Sequence, residues 1–327
     1  MAGLARILAA LLIFLVPAPA GAAAAKIKHV FVIVMENMDG APGDGQTKGY
    51  IYGNSAQARY INGPLQAEAT FAMRFRDSLT KQTRSQPHYI LLEAGTTTFD
   101  DATFVCNNEP LKPCPGQATR NWTASGDHLV NQIEAAGLTW MNYQGGLDAA
   151  ATGACPIRDA GLYATKHNPF VYFADIAGDP PRDDGPRCVA HTRDLARLAD
   201  DLARGEVDNY VFITPNLCDD MHGDPAACPR NPVAGGDAFL AKLVPELLTF
   251  AEGRGAVVFL AWDEARKTGY MPFVAAGTGV KRNHESDVEV SHRSVLRTVE
   301  RIFGLPVLPA VSDSNDLSDM FEEGALP

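Results

Sequence analysis

The chain has 327 residues and a formal net charge of −11 at pH 7, and 46% of its residues are hydrophobic. This length is ordinary for a single α/β enzyme and allows a large buried core. An acidic protein repels nucleic acid and anionic membrane surfaces, which excludes both as general partners. If such a protein acts on phosphates, a bound cation must offset its negative charge at the site.

The first 24 residues have the order of parts found in a secretory signal peptide. Arg6 supplies a positive start, Ile7–Val16 is an unbroken apolar run, and small residues follow as far as Ala24. A membrane-spanning helix needs about 20 apolar residues, so this run is too short, and no later segment approaches that length. We predict cleavage near Ala24, a secreted or periplasmic protein and no stable membrane insertion; an uncleaved anchor is the alternative.

Apolar runs alternate with helical patterns along the rest of the chain. Runs without polar alternation are typical of strands covered on both faces. They are Val30–Met35, Tyr210–Thr214, Val257–Trp262 and Phe273–Ala276, with Leu138–Tyr143 as a weaker candidate. Helical patterns that end at a glycine, a favoured C-terminal cap, lie over Asp127–Ala136, Thr192–Arg204, Asp237–Glu252 and Ser291–Phe303. The alternation predicts a mostly parallel sheet with helices on both faces, in one domain over residues 25–327.

Six cysteines lie beyond the predicted cleavage site, all within long irregular stretches. They are Cys106, Cys114, Cys155, Cys188, Cys218 and Cys228. An even number of cysteines behind a signal peptide is typical of disulfides formed in an oxidising compartment. Many pairings are open, but short loops favour Cys106–Cys114 and Cys218–Cys228, which leaves Cys155–Cys188. A zinc site is disfavoured because the chain has no CxxC pair.

Acidic and amide side chains follow three of the predicted strands. Glu36 and Asn37 follow the first, Asp263 and Glu264 follow the strand that ends at Trp262, and a loop with Asp220 follows another. The carboxyl ends of parallel strands meet at one sheet edge. Each group alone is typical of a helix cap or a solvated turn. Their convergence predicts a divalent cation of unidentified type, because clustered carboxylates without a cation repel one another.

Ser85 is the candidate nucleophile. Pro87 follows it, and a short helical run ends at Gly95, so we expect Ser85 about one residue before a helix. A hydroxyl there faces backbone N–H groups and the positive end of the helix dipole, which stabilise an alkoxide and a phosphate. Local sequence alone favours a simple helix cap instead. Three hydroxyl residues nearby are rivals, namely Ser78, Thr80 and Thr83.

Histidines can stabilise the charge of a phosphoryl transition state and protonate a leaving group. His222 and His292 lie beside the acidic segments and are the better candidates. His167 is intermediate between a structural and a functional interpretation. His29 and His128 are expected to be structural, as isolated histidines more often are.

Six segments, in order over nearly the whole chain beyond the predicted signal peptide, resemble the motifs of the phosphoesterase family that contains bacterial phospholipases C and acid phosphatases. They are Lys28–Asn37, Ser85–Gly95, Tyr210–Gly223, Gly236–Leu240, Trp262–Glu264 and Ser291–Glu300. The resemblance implies an alkaline-phosphatase-like fold, a three-layer α/β/α sandwich with a mostly parallel central sheet. It also implies a metal cofactor and a covalent phosphoenzyme.

The resemblance carries site residues with it. The implied metal ligands are Glu36, Asn37, Asp263 and Glu264. The implied catalytic residues are Ser85, which would also touch the metal, and His222 and His292, which would bind phosphate or assist the leaving group. Asp220 is a further candidate, either as a contact to the metal ligands or to the metal itself. His167 is a second candidate for contact with the metal ligands.

The chain departs from the family pattern at several positions. Gln86 stands where a leucine is usual, His88 stands where an asparagine is usual, and the stretch after Asn37 lacks an aromatic residue. These departures leave substrate preference open. The chain is also short beside the large phospholipases C, which favours the smaller acid-phosphatase-like branch.

We therefore predict a secreted, metal-dependent phosphomonoesterase that hydrolyses a small-molecule or lipid phosphate ester through a phosphoserine at Ser85. A phosphodiesterase of the phospholipase C type is the nearest alternative. A catalytically silent, disulfide-stapled surface protein that binds a ligand in the same pocket is an alternative of a different class. The sequence patterns do not indicate whether the chain is a monomer or an oligomer.

Overall fold

Eight strands form one sheet and two more form a separate ribbon, within the residues that the computed structural model describes: 26–79, 84–116, 120–147 and 155–327. The strands are β1 (His29–Met35), β2 (Ala69–Ala72), β3 (Phe75–Arg76), β4 (Trp140–Gln144), β5 (Thr192–Asp194), β6 (Tyr210–Thr214), β7 (Ala256–Trp262), β8 (Tyr270–Met271), β9 (Phe273–Gly277) and β10 (His284–Ser286). The predicted signal peptide lies outside the described residues, as do Thr80 and Thr83, two of the rivals to Ser85.

The middle of the large sheet is parallel. Its strand order is β10-β2-β9-β7-β1-β6-β4-β5, with β7, β1, β6, β4 and β5 mutually parallel and β9 antiparallel to both of its neighbours. β1 pairs with β7 along its whole length, from His29 opposite Ala256 to Met35 opposite Trp262. Because β1 and β7 end together, the residues that follow them lie side by side at the carboxyl edge.

All five predicted strands are present, and their bounds differ from the predicted ones by at most two residues. Tyr210–Thr214 has the predicted bounds. β6 and β7 are buried at every residue, and β1 is buried from Val30 onward. The absence of polar alternation in these runs therefore reflects a sheet covered on both faces.

Helices cover both faces of this sheet. They are α1 (Gln66–Glu68), α2 (Ser85–Ala94), α3 (Leu129–Ala135), α4 (Ala174–Ala177), α5 (Pro186–His191), α6 (Leu198–Arg204), α7 (Pro232–Ala251) and α8 (His292–Phe303). α2, α3 and α8 contact one another, and α6 contacts α7, which packs on β7. The architecture is the predicted three-layer α/β/α sandwich. Within the described residues, no helix combines the length and the apolar character needed to cross a membrane.

Each predicted helix start differs from the structure. α7 begins at Pro232, five residues before the predicted Asp237, α3 begins at Leu129, two residues after Asp127, and α8 begins at His292, one residue after Ser291. The segment predicted as one helix over Thr192–Arg204 begins as the edge strand β5 and becomes α-helical only at Leu198, because Thr192 pairs with Asn142 of β4. Ser85 is the first residue of α2 and not the residue before it, since Arg84 has the extended conformation of the N-cap. α2 ends as predicted at Gly95, whose φ of 68° suits glycine.

Three disulfides join the cysteines in the favoured pairs, Cys106–Cys114, Cys155–Cys188 and Cys218–Cys228. The first closes a loop whose Asn107 accepts a hydrogen bond from the backbone N–H of Gln86, at 3.0 Å, in the first turn of α2. The third closes the loop that follows β6. Both disulfides therefore constrain loops at the carboxyl edge of the sheet.

His128, which precedes α3, is buried between two carboxylates. Its Nδ1 lies 3.0 Å from Glu93 Oε1 on α2, and its Nε2 lies 3.1 Å from Asp175 Oδ2 on α4. Burial acts to lower the pKa of His128, but the hydrogen bonds to Asp175 and Glu93 outweigh it and raise this pKa. Burial acts to raise the pKa of Asp175, but the hydrogen bond with His128 outweighs it and lowers the pKa to about 2. This network joins three helices.

We expect Asp175→Ala to lower the free energy of unfolding by about 1–3 kcal/mol near neutral pH, because a hydrogen bond between charged groups is lost. The folded-state pKa of Asp175 lies below its ordinary value. Its carboxylate therefore stabilises the fold above about pH 4, and this contribution is lost as the pH falls through about 2. Urea unfolding at several pH values should show the difference from the unmodified chain shrinking over this range.

Asp184→Ala is the matched control, because the Asp184 side chain is 85% exposed and pairs with an Arg182 that is also exposed. Its expected effect is below about 0.5 kcal/mol. An Asp175→Ala effect that is independent of pH, or no larger than that of the control, would contradict the assignment.

Candidate active site

The segments after β1 and β7 are joined by short hydrogen bonds. The backbone N–H of Asp263 donates to Met35 O at 2.9 Å, and the backbone N–H of Asn37 donates to Asp263 Oδ1 at 2.8 Å. The Asn37 side-chain amide donates to Glu264 Oε1 at 2.8 Å. Asn37 has a φ of 34°, a left-handed conformation that asparagine tolerates better than most residues. The strained turn directs its side chain toward both acids.

Glu36 is fully buried and is the acceptor for two hydroxyl groups of α2. Ser85 Oγ donates to Glu36 Oε2 at 3.1 Å, and Tyr89 OH donates to Glu36 Oε1 at 3.0 Å. Ser85 and Tyr89 lie one helical turn apart, so they share a face of α2. The serine hydroxyl therefore lies within hydrogen-bond distance of the acid that follows β1.

The first turn of α2 offers fewer free N–H groups than its sequence indicates. The N–H of Gln86 already donates to Asn107, and Pro87 has none. The Gln86 side chain is buried and exchanges two hydrogen bonds with the amide of Asn121, at 3.2 and 3.3 Å. The stapled loop thus holds the turn that carries Ser85, and little of the helix N-terminus remains to bind an anion.

His167 lies between two buried acids. Its Nε2 is 2.9 Å from Glu36 Oε1, and its Nδ1 is 3.4 Å from Asp220 Oδ2. Its ring stacks on Tyr89, with centroids 5.2 Å apart. Burial lowers the pKa of His167 to about 4, so the ring is neutral and carries a single N–H. It can therefore donate to only one of the two acids.

The loop after β6 brings Asp220 to the same place. The backbone N–H of Glu36 donates to Asp220 O at 2.7 Å, and the N–H of His222 donates to Asp220 Oδ1 at 2.7 Å. Met221 between them has a φ of 77°, which is rare for a bulky residue. Its side chain lies against Gly236 of α7, where a Cβ would come within 2.4 Å of Met221 Cγ. Packing thus maintains a strained turn beside the acids.

The acids at this edge hold their protons unusually strongly. Burial raises the pKa of Asp220 and of Glu264 to about 7 in each case. Burial, followed by the nearby charge of Glu36, raises the pKa of Asp263 well above its ordinary value. Burial also raises the pKa of Glu36, against the opposing charges of Lys166 and His222. Four acids with raised pKa values at one place are typical of a functional site.

A second histidine–acid pair borders the group. His88 Nε2 lies 2.9 Å from Asp77 Oδ1, and the N–H of Ala265 donates to the other Asp77 oxygen at 3.3 Å. Burial acts to lower the pKa of His88, but Asp77 outweighs it and raises this pKa. The pair thus ties α2 to the segment after Glu264, which accounts for a histidine where the family pattern has an asparagine.

The two histidines predicted for catalysis, His292 and His222, have surroundings that differ from each other. His292 is fully buried, and its Nε2 donates to Trp262 O at 3.0 Å. Burial, followed by the charge of His88, lowers the pKa of His292 to about 3. His222 is exposed, with Nδ1 2.8 Å from Gly223 O and Nε2 3.4 Å from Lys166 Nζ. His292 therefore lies in the interior beside the acids, and His222 lies at the surface.

Three residues beside the site were absent from the sequence-based site prediction: Tyr89, Asp77 and Lys166. Tyr89 lies four residues after Ser85, so a search of the Ser85 face of α2 would have found it. Asp77 follows the short strand β3, the same signal that identified Glu36. Lys166 is adjacent to His167 in sequence and carries no pattern that distinguishes it from a solvated lysine.

Two observations test whether these residues fit a cation. Among the described residues, His292 Nδ1 is a buried nitrogen without a hydrogen-bond partner, and His167 Nε2 and Asp220 Oδ2 have close ionic neighbours, at 2.9 and 3.4 Å, but no well-formed hydrogen bond. Such orphaned atoms are unusual and are expected where an ion belongs. On the other side, no group of three or more His, Cys, Asp or Glu side chains in the described ranges already converges at metal-ligand spacing. The donor set fits a cation chemically, and its side chains have to move to enclose one.

Comparison with known proteins agrees with this architecture. A family model described as the Phosphoesterase family matches residues 58–306. The phosphatidylinositol-3-phosphatase of Mycobacterium tuberculosis is 26% identical over 295 residues, which cover 90% of this chain and 82% of that protein. The phosphate-repressible acid phosphatase of Penicillium chrysogenum is 24% identical over 233 residues, which cover 68% of this chain and 50% of that protein. The chain thus spans about half the length of that fungal relative.

A solved structure shows the same fold. It is a protein of the alkaline phosphatase superfamily from Vibrio parahaemolyticus, with a TM-score of 0.51 at 11% identity over 90% of this chain and 70% of that chain. The alkaline-phosphatase-like fold predicted from the sequence is therefore confirmed. The chain belongs to the Phosphoesterase family, as a hydrolase that acts on phosphoric ester bonds.

Proposed function

We propose that the protein is a metal-dependent phosphomonoesterase that works through a phosphoserine at Ser85. The observation that carries the proposal is the 3.1 Å contact between Ser85 Oγ and buried Glu36, at the edge where Asp263 and Glu264 also lie. A serine whose hydroxyl points into a group of acids at the carboxyl edge of a parallel sheet is suited to nucleophilic catalysis.

In the first step, a bond forms between Ser85 Oγ and phosphorus as the bond between phosphorus and the leaving oxygen breaks. The serine proton passes along its hydrogen bond to Glu36 Oε2, and the leaving alkoxide takes a proton from solvent on the exposed side of the site, near His222. In the second step, water adds to phosphorus as the bond from phosphorus to Oγ breaks. Oγ takes back the proton held by Glu36, and one proton of the attacking water is released to solvent. Inorganic phosphate leaves.

The residues that would hold the cation are Glu36, Asn37, Asp263 and Glu264, together with Ser85. When bound, a divalent cation would favour the serine alkoxide and offset the charge of the transferred phosphoryl group. Tyr89 and His167 orient Glu36 from the opposite side, and Asp220 holds the loop that carries His222. His292 Nδ1 carries a lone pair, because Nε2 bears the ring proton, and it would be a further ligand for the cation.

Two relatives support a monoester substrate. The mycobacterial and fungal proteins are both named as phosphatases. Because one is named for a phosphoinositide and the other as an acid phosphatase, the shared chemistry is a terminal phosphate on an alcohol. The three disulfides support export to an oxidising compartment, in agreement with the predicted signal peptide.

We expect Ser85→Ala to lower kcat for a simple aryl phosphate by more than about a thousandfold while the fold is retained, because the nucleophile is lost. Rapid acid quenching of the unmodified chain during turnover, followed by peptide mass spectrometry, should detect phosphate on the peptide that contains Ser85.

Ser78→Ala is the control, because Ser78 is an exposed hydroxyl near the same segment. It should retain activity within about threefold. Full turnover by the Ser85→Ala chain, or a phosphorylated peptide that lacks Ser85, would exclude the proposed nucleophile.

We expect Asp263→Asn to weaken divalent metal binding at least about tenfold, because one charge of the ligand set is removed. Elemental analysis of the purified protein and titration with a chelator measure this. The control is Glu246→Gln, an exposed acid on α7. Identical chelator titrations for the two variants would count against a cation at this edge.

Parallel assays on an aryl phosphate, a bis-aryl phosphate and phosphatidylcholine separate the proposed monoesterase from a phospholipase C-type diesterase. The proposal expects kcat/KM to be highest for the monoester. A preference for either diester would favour the second activity on the same serine.

A further inference from the structure

Lys166 lies beside the site, partly exposed, on a turn held by hydrogen bonds. It is the middle residue of a single 3₁₀ turn, Thr165–His167, whose His167 contacts Glu36. Asp159 Oδ1 accepts from the N–H of Thr165 at 2.8 Å, and Thr214 Oγ1 of β6 donates to His167 O at 3.1 Å. The backbone of Lys166 is therefore held on both sides, next to the residue that contacts the central acid.

The ammonium group of Lys166 faces the ring of a histidine. Its Nζ lies 3.4 Å from His222 Nε2. His222 Nδ1 lies 2.8 Å from Gly223 O and donates to it, because a carbonyl can only accept, so in the neutral tautomer Nε2 presents its lone pair to Lys166. Among the described residues, Lys166 has no carboxylate within ion-pair distance. Its charge is therefore oriented by His222 without being neutralised.

A positive charge at this place would favour binding of a phosphate ester. A phosphate monoester carries about two negative charges near neutral pH, and Glu36, Asp263 and Glu264 add to the negative potential where it must bind. The first turn of α2 contributes little, because Gln86 N–H is occupied and Pro87 has none. Lys166 is close enough to Glu36 for its positive charge to act on that carboxylate.

We propose that Lys166 binds a non-bridging oxygen of the phosphoryl group, with His222 as the residue that positions its ammonium. The inference rests on the proposed function and deepens it, because it names a dianionic monoester as the ligand that gains most. A monoanionic diester gains less from the same charge, since the Coulomb energy scales with the charge product.

The test uses binding of inorganic phosphate, measured by calorimetry, to the metal-supplemented chain with Ser85→Ala, where no turnover occurs. Adding Lys166→Met should weaken phosphate binding about 10- to 100-fold, the range expected for a charged hydrogen bond. Lys166→Arg keeps the charge and should stay within about threefold. Thermal unfolding of each variant establishes that it is folded.

Lys267→Met is the matched control. Lys267 is an exposed lysine on the segment after Glu264, so it also adds positive potential near the site, and no histidine among the described residues contacts it. It should change phosphate affinity by less than about threefold. Equal losses in the Lys166→Met and Lys267→Met chains would indicate a general field and overturn the assignment.

The chain that retains Ser85 allows a second measurement. Lys166→Met should lower kcat/KM for an aryl phosphate by about tenfold or more, and for a bis-aryl phosphate by much less. Phosphate affinity that does not change in a folded Lys166→Met chain, or no phosphate binding when Lys166 is present, would exclude the inference. If phosphate binding depends on Lys166 but the chain with Ser85 intact shows no turnover, the proposed function is refuted and the role of Lys166 in binding phosphate is not.

Discussion

The in-register parallel pairing of β1 with β7 is the constraint on which the rest of the structure depends. It ends two buried strands at the same level, so that Glu36 and Asn37 lie beside Asp263 and Glu264. Like charges brought together in a low-dielectric place repel one another and hold their protons more strongly. The fold therefore stores unfavourable electrostatic energy at one edge, and the surrounding residues serve either to satisfy these acids or to use them.

The groups around Glu36 offset part of this unfavourable energy through hydrogen bonds. Ser85 and Tyr89 donate to its two oxygens, and His167 approaches it from the loop side. The left-handed backbone of Asn37 and Met221 adds strain on both sides of the edge. Disulfides and tight packing at Gly236 hold the strained loops in place. Strain and raised pKa values coincide, as expected where stability is given up for function.

The contacts of α2 explain why it tolerates two departures from the family pattern, His88 and Gln86. His88 is paired with Asp77, which also accepts from the N–H of Ala265, so the substitution is compensated by a partner on a different element. At Gln86, the buried side chain has found an amide partner in Asn121. Each unusual polar residue in α2 is thus matched by a polar group on a segment that packs against the helix.

The sequence by itself determined the fold class, the central strands, the favoured disulfide pairs and the acids that follow β1 and β7. These features depend on local periodicity, on short loops and on the rule that parallel strands end at one edge. Tertiary structure decided which partners meet: Ser85 with Glu36 across 49 residues, and Asn37 with Asp263 across 226. It also decided that α2 begins at Ser85, that Thr192 joins an edge strand, and that Lys166 faces His222. Such contacts depend on the packing of distant segments, which no local pattern records.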